Sequence, residues 1–194
     1  MQTLLFYLQL GFEHISNLAG FDHILFLVVL CAAYSIEQWR NIVILVTAFT
    51  VGHSITLALS SVGTVIVPSH IVEFLIPTTI LITALHNTLR SSHGVSGPAM
   101  TRQYLVALFF GFIHGMGFSN YFRALLMDDA SIAGPLFGFN LGIELGQLLV
   151  VTVVVGISAV FLKVLNVRHR DWNVFISGAA AGMSLMLMSE ARFW

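Results

Sequence analysis

Pro135-Leu-Phe-Gly-Phe-Asn-Leu-Gly-Ile-Glu-Leu-Gly-Gln-Leu-Leu-Val-Val-Thr-Val-Val-Val-Gly-Ile-Ser-Ala-Val-Phe-Leu-Lys163 is a long apolar run in which Glu144 is the single ionisable side chain ahead of Lys163. About 20 such residues suffice for a helix to cross the hydrocarbon of a bilayer. This stretch is longer than that, so it reads as a membrane span. Working outward by apolar length and polar punctuation gives further spans at 19–36, 41–60, 70–90, 101–123 and 172–190. Residues 2–12 are apolar but too short to cross alone, and predict a half-helix or interfacial helix. The polar, glycine-rich 90–101 stretch reads as an exposed loop.

The expected fold is therefore all-α: a polytopic membrane helical bundle of about six transmembrane helices plus that N-terminal piece, one domain over 1–194. Composition agrees. The 194 residues are 57% hydrophobic and 9% charged, with mean hydropathy +0.91, where a soluble domain carries roughly 25% charged residues. A net charge of −1 offers no basic stripe for nucleic acid, and the lone Cys31 has no disulfide partner. Met1–Leu10 lacks the basic start and cleavage site of a signal peptide.

Basic residues set the expected orientation. Arg40, Arg90, Arg102, Lys163, Arg168 and Arg170 flank the first, third and fifth loops, against Arg123 and Arg192 on the other side. The positive-inside rule then places the termini outside the cytoplasm. Trp39, Trp172 and Trp194 fall at span ends, where interfacial rings belong.

Against this apolar ground the ionisable residues stand out, because each costs a few kcal/mol at membrane depth and so marks function. His14, Asp22, His23, His53, His114 and Glu144 all fall in the half of the bundle away from the cytoplasm, and are the candidate metal ligands. Ser54, Thr56, Glu73, Asn140 and Gln147 are secondary polar candidates. Imidazoles with carboxylates and no thiolate suit Ni(II), Co(II), Zn(II) or Cu(II). Asn140, Glu144 and Gln147 share one helical face. Asp22 can ligate directly or hold the second ring proton of a histidine. His70, His93 and His169 read as loop residues, and His86 lies apart from the set. Three glycine ridges, Gly138/Gly142/Gly146, Gly111/Gly115 and Gly178/Gly182, predict close helix packing. Gly115 and Gly117 beside His114 could instead loosen the helix, the less favoured reading.

Six strings carry a resemblance: Gly11-Phe-Glu-His14, Gly20-Phe-Asp-His-Ile-Leu-Phe26, Phe49-Thr-Val-Gly-His-Ser-Ile-Thr-Leu57, Val72-Glu-Phe-Leu-Ile76, Gly111-Phe-Ile-His-Gly-Met-Gly-Phe118 and Gly138-Phe-Asn-Leu-Gly-Ile-Glu-Leu-Gly-Gln147. In this order they resemble the HupE/UreJ family of bacterial membrane proteins. The resemblance implies a small inner-membrane protein, associated with nickel supply to hydrogenase or urease and usually called a nickel or cobalt permease. It supports His14, Asp22, His23, His53, His114, Asn140 and Glu144 as motif positions, with Ser54, Thr56, Glu73 and Gln147 secondary. Seven residues separate His14 from Asp22, where nickel and cobalt permeases more broadly have four between a histidine and an Asp-His pair, so a helix break near Asn17–Gly20 must return His14 to the site.

The expected function is nickel- or cobalt-type divalent metal transport across a bacterial inner membrane, with the metal ion and the lipid bilayer as partners. Homo-oligomerisation is left open. An intramembrane zinc-type hydrolase, with Glu144 or Asp22 activating water, uses the same residues. An accessory subunit holding no metal is the third alternative.

Overall fold

The computed structural model describes residues 2–89, 98–126 and 132–191. The 90–101 stretch falls largely outside these, as do Arg90, His93, Arg192 and Trp194. The described residues form helices α1 (Gln2–Ser16), α2 (Asp22–Ala32), α3 (Trp39–Ser61), α4 (Ser69–Leu89), α5 (Pro98–Leu125), α6 (Ala133–Ala159) and α7 (His169–Glu190), and no strand among them. Five, α3 to α7, are long and apolar enough to cross a membrane.

The first predicted span, 19–36, needs correction. Its helix is α2, 11 residues, about 16 Å long at 1.5 Å per residue and short of the ~30 Å hydrocarbon core. A 3-10 turn at Leu18–Gly20 breaks the chain ahead of it, where helix formation is weakened by Gly20. The capping box of Ser35 and Gln38 starts the next element behind it. The expected short N-terminal piece is helix α1, 15 residues long. It packs lengthwise on α6, where the Gly138, Gly142 and Gly146 ridge faces Leu4 and Tyr7, then Leu8 and Phe12, then Phe12 and Ile15. Both sets of numbers rise together, so α1 and α6 run parallel.

Direction follows from end contacts. Lys163 reaches Glu37 at 3.5 Å, an exposed pair worth little energy that places the end of α6 beside the start of α3. Gly117 on α5 meets Val72 and Ile76 near the start of α4, and Asn87 near the end of α4 donates to the Val29 carbonyl near the end of α2, at 2.8 Å. Helices α2, α4 and α6 thus run one way and α3, α5 and α7 the other. Because α1 runs with α6, α1 and α2 point the same way and together make one broken crossing. We call the end bearing the α3–α4 turn the upper face. That turn passes through Gly63, whose φ of +74° suits glycine.

The second intimate interface is α3 on α5, also parallel. A Cβ on Gly111 would sit 2.1 Å from the Phe49 carbonyl oxygen, and one on Gly115 would sit 2.5 Å from that of His53. With no hydrophobic drive between helices in lipid, this backbone contact is what van der Waals packing has to work with. Helix α5 is continuous through Gly115 and Gly117, so these glycines pack rather than unwind it. The predicted Gly178/Gly182 ridge is different: a Cβ at either position meets nothing within 4 Å. In the first turn of α7, Trp172 is buried and stacks on Phe161 at 4.6 Å, whereas Trp39 is exposed at the start of α3.

Candidate metal centre

The break after α1 decides the geometry of the centre. His14 sits two residues before the end of α1, and Asp22 and His23 open α2, so the two arms of the broken crossing bring both histidines to one level. His53 enters from α3 and His114 from α5, held in register by Gly115 against the His53 backbone. Ring centroids are 4.8 Å apart for His14 and His23, 6.0 Å for His14 and His53, and 6.2 Å for His23 and His53. Each of these three offers a nitrogen within 4.8 Å of the other two. His114 lies beside His23 at 5.3 Å.

Hydrogen bonds orient the rings. Asp22 Oδ1 accepts from the His23 backbone N–H at 2.9 Å and from its Nδ1 at 3.0 Å. His114 Nδ1 donates to the Phe110 carbonyl at 2.8 Å. In both rings the proton is thereby drawn to Nδ1 and the lone pair left on Nε2, the arrangement of a metal-binding imidazole. The complementary atoms are unpaired. His14 Nε2, His23 Nε2, His114 Nε2 and both nitrogens of His53 are buried without a hydrogen-bond partner among the described residues. The His23, His53 and His114 side chains belong to residues 5%, 0% and 1% exposed. An unsatisfied buried polar atom costs about 1–3 kcal/mol, so a cluster of them calls for partners such as water or an ion.

The other predicted residues divide. Asp22 stands behind His23 and also lines the cavity beside it, about 270 Å³, together with His14, His114, Glu73 and Phe118. Glu73 is exposed at its rim. Glu144 is engaged elsewhere: its Oε1 accepts from Thr47 at 2.7 Å, and Thr47 precedes His53 by six residues, about 9 Å along α3. Gln147 Oε1 similarly accepts from Thr50 at 2.6 Å. Asn140 Oδ1 and Glu144 Oε2 are buried without partners among the described residues. Ser54 donates to the Thr50 carbonyl and Thr56 to that of Gly52, so both serve their own helix. His169 opens α7 half-buried rather than lying in a loop, and His70 is exposed at the start of α4.

Sequence reasoning missed the aromatic walls. Phe118 packs on His14 at 4.1 Å, and Phe139 flanks His14 and His53. Beneath the imidazoles Phe26 and Phe49 stack at 4.8 Å, with Phe110 against Phe26 at 6.3 Å. Below these rings lies a second cavity of about 240 Å³, lined by Phe26, Phe110, Tyr34, His86, Arg102 and Gln103. The available signal was spacing: His23/Phe26, Phe49/His53 and Phe110/His114 are i, i+3 or i, i+4 pairs that share helical faces.

Compared with known proteins, the chain matches the family model described as HupE / UreJ protein over residues 1–192. No curated protein and no solved structure matches it.

Proposed function

The chain belongs to the HupE/UreJ family, which is associated with nickel and cobalt transport, and from that premise we propose that it carries a divalent transition-metal ion of the nickel or cobalt type through the His14, His23 and His53 centre. One observation carries the proposal: three imidazoles, half-buried His14 from α1 and buried His23 and His53 from α2 and α3, present nitrogens mutually within 4.8 Å, and these rings include four nitrogens with no partner among the described residues. His114 Nε2 stands ready as a fourth donor. Neutral nitrogen ligands suit borderline divalent ions, and a site without thiolate can release its cargo, as transport requires.

The path has two ends. The upper cavity reaches the imidazoles directly, and the rings of Phe26, Phe49 and Phe110 divide them from the lower cavity. Passage then requires these rings to part, with the broken α1–α2 crossing as the mobile element. Arg40, Arg102, Lys163, Arg168 and Arg170 lie toward the lower face and Arg123 alone toward the upper, among the described residues. The lower face is then cytoplasmic, in a bacterial inner membrane, with the termini periplasmic.

A second reading draws on the same aromatic layer. A centre open on one side only also suits an intramembrane zinc-type hydrolase, three histidines leaving one position for water. Asp22, which lines the cavity, is then better placed to activate that water than Glu144. Metal analysis of purified protein combined with ion uptake into proteoliposomes separates the readings. Transport predicts bound nickel or cobalt and uptake, both lost in His23→Ala and His53→Ala. Stoichiometric zinc without uptake would favour the hydrolase, and no bound metal would end both.

A further inference from the structure

Beneath the Phe26, Phe49 and Phe110 rings, the lower cavity of about 240 Å³ lies between α2, α3, α4 and α5. We propose that it holds one anionic phospholipid of the lower leaflet, with an acyl chain inside and the phosphate at Arg102. This lipid site stands independently of the metal centre.

The two ends of the cavity differ in chemistry. Arg102, in the second turn of α5, and His86, in the last turn of α4, both line it at the lower face, and both are exposed. Deeper, the wall is made by Phe26, Leu45 and Phe110, all buried. Arg102 and Phe110 are eight residues apart on α5, about 12 Å at 1.5 Å per residue, most of the ~15 Å that one leaflet contributes to a ~30 Å hydrocarbon core. A cation at the interface with hydrocarbon behind it complements an amphiphile with a negative head. Arg102 enters no ion pair among the described residues, and its guanidinium presents donors in the fork that matches phosphate. Basic pockets between helices at the cytoplasmic leaflet are where anionic headgroups bind.

Helix packing gives the chain a way in. Helices α4 and α5 converge toward the upper face, where Gly117 meets Ile76 and Val72. Toward the lower face, Ile82 and Val106 line the cavity while remaining 51% and 44% exposed. Side chains that belong both to the outer surface and to the cavity wall mark an opening between these helices toward the membrane. Elsewhere the lower end is tied together: the Tyr34 hydroxyl donates to the Gln103 side chain, joining α2 to α5, and Asn87 joins α4 to α2 through the Val29 carbonyl. The medium beside such an opening is lipid. An apolar void forfeits dispersion contacts along its lining, and a chain entering from the leaflet restores them. Seated there, it lies against Phe26 and Phe110 and holds closed the aromatic layer above.

Native mass spectrometry of the full chain, titrated in detergent with phosphatidylglycerol or phosphatidylcholine of identical chains, tests this. Wild type binds one phosphatidylglycerol about fivefold more tightly than phosphatidylcholine, the ratio that one basic residue supplies at ~1 kcal/mol. Arg102→Gln brings phosphatidylglycerol down to the phosphatidylcholine level and leaves the latter unchanged. Val106→Trp and Ile82→Trp, which fill the opening from either side at half-exposed positions, weaken both lipids at least tenfold. Val153→Trp, at a 53% exposed position on α6 away from the cavity, changes neither. Visible absorption of Co²⁺ at the imidazoles stays that of wild type in all four variants, so loss of the lipid site and loss of the metal centre read out separately. Equal binding of the two lipids by wild type, or a preference that survives Arg102→Gln, would overturn the proposal. Phosphatidylglycerol held at full strength by both tryptophan variants would leave only a surface anion contact and overturn it as well.

Discussion

Gly115→Ala converts the α3–α5 contact into a test of the metal centre. A Cβ at this position lies 2.5 Å from the His53 carbonyl oxygen and 3.0 Å from its Cα. Backbone on both sides leaves no flexible side chain to give way, so α3 has to retreat by roughly 0.9 Å to reach the 3.4 Å of an ordinary contact. Overpacking of this kind costs about 1–3 kcal/mol. The effect on the centre is larger in proportion, because metal–nitrogen distances tolerate only about ±0.2 Å and the displaced residue is His53 itself. We expect cobalt affinity to fall at least ~10-fold, equivalent to ~1.4 kcal/mol, while the bundle remains folded. Titration with Co²⁺ followed by visible absorption measures the affinity, and a thermal melt in detergent measures the fold. Gly178→Ala is the control. Nothing lies within 4 Å of its new methyl, so it should leave cobalt binding unchanged and raise stability by up to ~1 kcal/mol through helix propensity. Wild-type cobalt affinity and spectrum in Gly115→Ala would refute the argument that this contact positions the ligand.

His53→Leu removes two buried ring nitrogens that lack partners, so the metal-free variant should melt at or above the wild-type temperature while losing all stabilisation by added Ni²⁺, both read from thermal melts with and without metal. Asp22→Asn weakens the hold on the His23 ring, and metal affinity by isothermal titration should drop about 10–100-fold without loss of stoichiometry. Because protons compete with metal for imidazole nitrogen, nickel affinity should fall as pH is lowered and binding should release protons, measurable as a buffer-dependent heat. Thr50→Val takes away the hydroxyl that donates to Gln147 and should cost about 1–3 kcal/mol of stability, with cobalt affinity unaltered if this pair is purely structural.

Much of this protein is legible one helix at a time. Apolar length alone locates α3 to α7, because the bilayer demands about 20 consecutive apolar residues whatever the partners, and the unusual cost of buried charge singles out His14, His23, His53 and His114. The i, i+4 glycines of α6 announce a close neighbour. The seven-residue gap between His14 and Asp22 even signals the break that the structure places at Leu18–Gly20. These properties are local: they depend on period, length and the solvent, all of which the order of residues states.

Which neighbour each face meets is not local, and only the tertiary structure decided it. Gly178 and Gly182 have the spacing of a packing ridge, yet a Cβ added at either would meet nothing within 4 Å, while Gly138, Gly142 and Gly146 receive the backbone of α1, a helix too short to cross alone. Glu144, a candidate ligand by sequence, accepts from Thr47 through Oε1 and keeps Oε2 without a partner among the described residues, an arrangement set by the axial offset between two helices. Glu190 comes beside Glu73 and Pro77 only because α7 returns antiparallel to α4. Residue type determines what a group could bind; helix direction and register, which arise from packing summed over whole interfaces, determine what it stands beside.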